Sequence, residues 1–302
     1  MTFRRGITTD KTTEAPMEQP SGHEQNADQI AYWNGPSGQR WADRHAAQES
    51  LLGPIANVLI ARAKPKPGER VLDVGCGSGA TTFAFAKAVA PDGFALGLDV
   101  SEPMLSQARA FAPKGLPLDF VMADATVHPF EPANFDLLAS RFGVMFFADP
   151  IASFTNLRRA LKPTGRLAFA CWREPKENPW MMAPLMAVYK HVPKMPPVGP
   201  EEPGPFAFAS EERVTRILKG AGFVDVAMEP HNLAMDVAIG GGLDAAVEGS
   251  LQIGPASRAL QGHSPETYAA AKASIREMLA PFLKGSSVAL QGAIWIVTAK
   301  AA

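Results

Sequence analysis

The stretch VLDVGCGSGA, residues 71–80, constrains the fold more than any other. A short, β-rich apolar run ends in a glycine cluster, and the helix-forming ATTFAFAKAVA follows at once. Strand, tight turn and helix in direct succession place the turn at a sheet edge, with the free N–H groups of the helix start facing outward. Glycine permits both the turn and a close approach by a ligand. Within the apolar run stands Asp73, a carboxylate that is costly to bury unless it is paired or hydrogen-bonded.

The same rhythm continues downstream. FALGLDV is apolar again, SEPMLSQARAFA is helical, LDFVMAD and FDLLASR are strand-like, PIASFTNLRRAL is a helix with Pro150 near its start, and RLAFACW follows a KPTG turn. Strands alternating with helices imply right-handed crossovers and a mainly parallel sheet covered on both faces, a doubly wound α/β domain. Residues 67–172 form its core.

The flanks read differently. Residues 1–28 are polar, with hardly any large apolar side chains, and are expected to be a disordered tail. Residues 29–66 supply helical patches broken at Asn34-Gly35-Pro36. Residues 173–209 are crowded with proline and methionine and read as a lid over the site. Residues 210–302 return to helices and strands, with helix starts near Ser210 and Ser264. Residues 29–302 are thus expected to form one domain.

Bulk properties exclude several functions. With 29 basic and 30 acidic residues the chain has a net charge of -1, so no bulk attraction to nucleic acid is visible. Two cysteines, Cys76 and Cys171, lack metal-ligand spacing and fit a reducing cytoplasm. The apolar windows are too short and proline-broken to cross a bilayer, and the polar N-terminus does not read as an export signal.

By its letters Gly75-x-Gly77-x-x-Ala80 meets a dinucleotide fingerprint, and Asp99, about 20 residues beyond the turn, stands where an acid accepts from ribose hydroxyls. A nucleoside sulfonium would use the same features. Asp73 favours a cationic ligand, and Asp124 in MADAT lies at the same sheet edge, where it either accepts from an adenine amine or caps its own turn.

The ordered set VLDVGCGSG, LDVSEPML, ADA, FDLLASRFGVMFF and LRRALKPTGRLAFACW resembles the class I S-adenosylmethionine-dependent methyltransferases, nearest the subgroup that includes ubiquinone and menaquinone methyltransferases. The resemblance covers residues 31–172, with FASEERVTRILKGAGFVDV similar to that subgroup beyond the lid. It implies a seven-stranded Rossmann-like sheet, closed by an antiparallel pair at FVDVAME and GAIWIVTA. It also implies that Gly75, Cys76 and Gly77 approach the methionine moiety with Asp73 below its ammonium. Asp99 then holds the ribose, Val100 and Met104 flank adenine, and Asp124 with Ala125 reads its edge. Arg141 either lines the donor pocket or makes a surface salt bridge, and Cys76 is a small filler rather than a nucleophile.

The reaction so implied is direct displacement of methyl from sulfonium onto a small acceptor, by a protein acting as monomer or homodimer. Tyr32, Trp33, Trp41, Phe142 and Trp172, with Met145, Phe146, Trp180, Met181 and Met182, are candidates for an apolar acceptor cavity. His45, His128 and His191 are candidate histidines, and none is assigned as a general base. An NAD(P)-binding oxidoreductase and a non-catalytic S-adenosylmethionine-binding protein stand as alternatives. The chain lacks the N/D-P-P-Y/F and Pro-Cys motifs of nucleic-acid base methyltransferases.

Overall fold

A computed structural model describes residues 26–199, 201–252 and 254–301. Three helices open it: α1 (Ala27–Asn34), α2 (Pro36–Asp43) and α3 (His45–Ala63). The alternating core follows as β1 (Arg70–Val74), α4 (Ala80–Val89), β2 (Phe94–Asp99), α5 (Glu102–Phe111), β3 (Leu118–Met122), β4 (Phe135–Arg141), α6 (Pro150–Ala160) and β5 (Leu161–Trp172). Beyond it come α7 (Pro179–Val188), α8 (Glu211–Gly220), β6 (Phe223–Asp236), α9 (Gly242–Gln252), α10 (Gly254–Ala259), α11 (Pro265–Leu279), the short β7 (Leu283–Lys284) and β8 (Ser287–Ala301).

The main sheet runs β3-β2-β1-β4-β5-β8-β6, with β7 paired to β8 off that path. The strands from β3 to β5 are parallel neighbours, and β8 lies antiparallel between β5 and β6. The expected doubly wound sheet with an antiparallel edge is therefore present. The chain winds outward from β1 to β3 and returns to place β4 on the other side of β1. That reversal opens a crevice beyond the carboxyl ends of β1 and β4, where sheets of this kind bind ligands.

Local chemistry sets the helix starts. Asp149 caps α6 by accepting from the Ala152 N–H, with Pro150 at the first helical position. Ser210 and Ser264 cap α8 and α11 in the same way. Under the sheet, Phe154 packs with Phe169, Phe208 and Phe223, all fully or almost fully buried. Burial of each such ring contributes about 1.5–3 kcal/mol.

A second apolar cluster joins α7 to α9, α10, α11 and the start of β8 through residues such as Leu185, Val188, Val247, Ile275 and Leu290. The proline- and methionine-rich segment is thus anchored by helices inserted between β6 and β8. Residues 1–25 of the expected tail lie outside the described residues. Its last residues are structured: Asn26 is buried and Ala27 begins α1. The helical patch after the Asn34-Gly35-Pro36 break divides again at Arg44, which separates α2 from α3.

Candidate functional site

The turn after β1 takes its shape from three glycines at positive φ: Gly75 (66°), Gly77 (56°) and Gly79 (87°). A Cβ on Gly75 would stand 2.5 Å from the Gly143 Cα, so β1 and the loop after β4 meet backbone to backbone. A Cβ on Gly77 would meet only the Met104 sulfur, at 3.7 Å, on the side that faces an open cavity.

Asp99 joins two turns. One carboxylate oxygen accepts from the Gly77 N–H (2.8 Å) and the other from the Ser101 N–H (2.9 Å). Each oxygen keeps a second lone pair for a ligand hydroxyl. Burial raises the Asp99 pKa, opposed by backbone hydrogen bonds from Gly77, Ser101 and Val100. Asp73 lies deeper and does not line the cavity. One of its oxygens accepts from the hydroxyls of Thr81 (2.6 Å) and Thr82 (2.7 Å) at the start of α4, while Oδ1 has no hydrogen-bond partner. Burial pushes its pKa to about 6 against those hydroxyls and the nearby Arg141 charge, with Asp99 adding to the rise. The threonine hydroxyls thus meet part of the demand that the sequence assigns to an ammonium.

Asp124 caps its own turn by accepting from the Thr126 N–H and also accepts from the Asn26 side-chain amide, both at 2.9 Å. The turn-capping role is thus the one observed, and Asp124 also stands on the cavity wall. Asn26 further donates to the Thr126 hydroxyl (3.0 Å) and accepts from the Ala148 N–H (3.0 Å). At the other end of α1, Asn34 donates to the Val100 carbonyl (2.8 Å) and accepts from the Glu102 N–H (3.0 Å). Helix α1 is therefore fastened at both ends to loops beyond the sheet, and Ile30 and Trp33 face the cavity from it.

The cavity encloses about 240 Å³ over the carboxyl ends of β1, β2 and β4. Gly75, Cys76, Gly77, Val100, Met104 and Ala125 line it on the side of the glycine turn. Burial, with the Asp99 and Asp73 charges, pushes the Cys76 thiol well above its ordinary pKa, which disfavours the thiolate. Arg141 lines the cavity and pairs with Glu49 of α3 through both nitrogens, one at 2.9 Å. The Arg141 side chain is 10% exposed, which replaces the expected surface salt bridge with a largely buried one.

Trp33, Trp41, Phe142 and Trp172 also line the cavity, as do Met145, Phe146, Trp180 and Met181. Phe142 stacks on Trp172 with centroids 4.2 Å apart, and Trp33 meets Trp41 and Phe146 edge-on. Tyr32 does not belong: helix α1 turns it outward, it is 44% exposed, and only its ring edge meets Trp33. Met182 packs instead in the second apolar cluster. His45 rests on Phe111, His128 on Phe130, and His191 bonds Ser274, all off the cavity wall.

Sequence reasoning missed Asn26, Gln48 and Glu49. Asn26 carried no signal within its polar surroundings. Glu49 could have been sought as the partner of Arg141, yet 92 residues separate them.

The donor set fits S-adenosylmethionine. Among the described side chains that line the cavity, three are carboxylates (Glu49, Asp99, Asp124) and one is a guanidinium, a negative surplus that suits a cationic ligand and opposes a pyrophosphate. The open space at Gly77 admits a ligand against the backbone, and Asp99 can accept from two hydroxyls.

Comparison with known proteins agrees. Residues 71–165 match a family described as "Methyltransferase domain". The chain is 34% identical over 187 residues to the biotin biosynthesis bifunctional protein BioCD of Bordetella avium, covering 61% of this chain and 38% of that protein. It is 32% identical over 184 residues to the nocamycin O-methyltransferase of Saccharothrix syringae, covering 57% and 65% respectively. The chain thus spans about half the length of these relatives. The crystal structure of the YcgJ protein from Bacillus subtilis superposes with a TM-score of 0.54 over 82% of this chain and 98% of that one, at 18% identity, and so shares the fold. Residues 71–165 therefore match a methyltransferase domain, and with its glycine turn and strand-end carboxylates the chain is similar to the class I S-adenosylmethionine-dependent methyltransferases.

Proposed function

We propose that the protein transfers a methyl group from S-adenosylmethionine to a small apolar or aromatic acceptor, releasing S-adenosylhomocysteine. The negative surplus around the glycine turn carries this reading, because it favours a sulfonium and ammonium over the phosphates of a dinucleotide. Bound S-adenosylmethionine supplies a methyl group already activated by positive charge. Asp99 orients the ribose, Asp124 the adenine edge, and Gly75 and Gly77 give the methionine portion its backbone contact. Trp33, Trp41, Phe142 and Trp172 exclude water and hold the acceptor nucleophile in line with the methyl group.

Among the described residues no histidine stands on the wall, which suits an acceptor whose own atom attacks without a protein base. The near-neutral chain favours a small molecule over a nucleic acid, and the same reading has the protein act in the cytoplasm as a monomer or homodimer. Among the described residues no helix is long and apolar enough to cross a membrane. Methyl transfer to a panel of quinols, phenols, thiols and amines tests the proposal. Turnover confined to apolar or aromatic members supports it, and strict preference for multiply charged acceptors refutes it.

A further inference from the structure

A smaller pocket of about 60 Å³ adjoins the main cavity. The two share a wall made of Gln48 and Leu51 from α3, Trp180 and Met181 from α7, and Gly254 and Pro255 at the start of α10. Beyond that wall the smaller pocket is mostly apolar, with Pro184, Val237 and Ile239 on its far side, and no carboxylate of the described residues lines it.

Two cation or amide donors stand out within it. Arg44 lines the pocket, has no carboxylate partner among the described residues, and its Nε is buried without a hydrogen bond. Gln48 is 7% exposed, and its Nε2 is likewise buried with no partner. The Gln48 N–H donates to the Arg44 carbonyl at 3.0 Å, so the two side chains stand one turn apart on the same face of α3. Buried donors in folded proteins nearly always have partners, and these two orphans side by side, with Trp180 Nε1 a third on the shared wall, call for an acceptor that the described residues do not supply. A guanidinium offers a fork of donors that matches a carboxylate.

Resting on the methyl-transfer reading above, we infer that the acceptor carries a carboxylate remote from its methylated atom, and that Arg44 and Gln48 hold this carboxylate in the smaller pocket. The apolar body of the acceptor lies between the aromatic rings of the main cavity and passes the wall of Leu51, Trp180 and Met181. One guanidinium in so small a space suits a singly charged carboxylate better than a phosphate. Arg44 and Gln48 are specificity-determining residues in this account. They touch neither the transferred methyl nor the donor.

The test uses the full chain saturated with S-adenosylhomocysteine and compares 3-(2-naphthyl)propanoate with the neutral 3-(2-naphthyl)propanol by calorimetry. The carboxylate is expected to bind at least tenfold more tightly. Arg44→Met is expected to weaken the carboxylate about tenfold and the alcohol less than twofold, with S-adenosylhomocysteine affinity unchanged. Gln48→Met shows a smaller loss in the same direction, and Arg44→Lys recovers part of the preference. Equal binding of the two probes by the native protein, binding of neither, or an Arg44→Met variant that keeps the preference overturns the inference. Failure of S-adenosylhomocysteine itself to bind would instead strike the methyl-transfer reading.

Discussion

Replacing Gly75 or Gly77 by alanine separates the structural part of the glycine turn from the part that faces a ligand. Both residues have positive φ, where a Cβ costs about 1–2 kcal/mol. At Gly77 that is nearly the whole cost to the fold, since the new methyl meets only the flexible Met104 side chain at 3.7 Å. At Gly75 the methyl would lie 2.5 Å from the Gly143 Cα, and main chain must move apart to admit it. Overpacking of that kind adds about 1–3 kcal/mol. Gly75→Ala therefore destabilises by about 3 kcal/mol and lowers Tm by about 6–12 °C, whereas Gly77→Ala, at about 1.5 kcal/mol, lowers it by about 3–6 °C. Ligand affinity ranks them differently. The Gly77 methyl occupies space in the cavity itself, and S-adenosylhomocysteine affinity falls at least tenfold, or about 1.4 kcal/mol, despite the small stability loss. Thermal unfolding and calorimetric titration of both variants measure the two effects. Equal Tm losses, or native affinity in Gly77→Ala, would refute the assignment of one glycine to packing and the other to the ligand.

Asp73 gives a pH prediction. The folded protein holds its proton up to about pH 6 while the unfolded chain releases it near 3.8, so folding takes up a proton between those values. Stability from this group is present below the unfolded value and is lost as pH rises to about 6, a fall of about 3 kcal/mol. Asp73→Asn makes the fall in Tm across that window shallower, and a profile that superimposes on the native one would count against the assignment. Asn26→Ala removes three hydrogen bonds that join the start of α1 to the Asp124 turn and Ala148. A loss of about 2–3 kcal/mol in stability is expected, with weaker S-adenosylhomocysteine binding, read by denaturant unfolding and titration. Glu49→Leu leaves Arg141 largely buried without its ion partner and costs about 3 kcal/mol, while the double variant with Arg141→Leu recovers part of it. Additive losses in a urea double-mutant cycle would show that the pair is not coupled.

What could be read from the sequence was local. The alternation of apolar runs and helical segments carries its own period, so the parallel strands and the crevice beyond them were legible. The carboxylates Asp73, Asp99 and Asp124 were legible because each ends or interrupts an apolar run. Contacts across long chain separations leave no such mark. Asn26 reaches Asp124 over 98 positions, and its polar neighbours gave no hint that it is buried. Tyr32 and Trp33 are adjacent aromatics in one helix, and only packing decides that Trp33 turns inward. Arg44 and Gln48 carry no signal of their own within the helical patch. Their meaning appears only once α7 and the helices between β6 and β8 close a pocket around them.

The central claim is that the glycine turn holds S-adenosylmethionine and no dinucleotide. Parallel calorimetric titrations of the protein with S-adenosylhomocysteine and with NADH test it most directly. Saturable, one-to-one binding of S-adenosylhomocysteine that weakens in Asp99→Ala, with no heat from NADH, is the predicted result. Saturable binding of NADH with none of S-adenosylhomocysteine would contradict it.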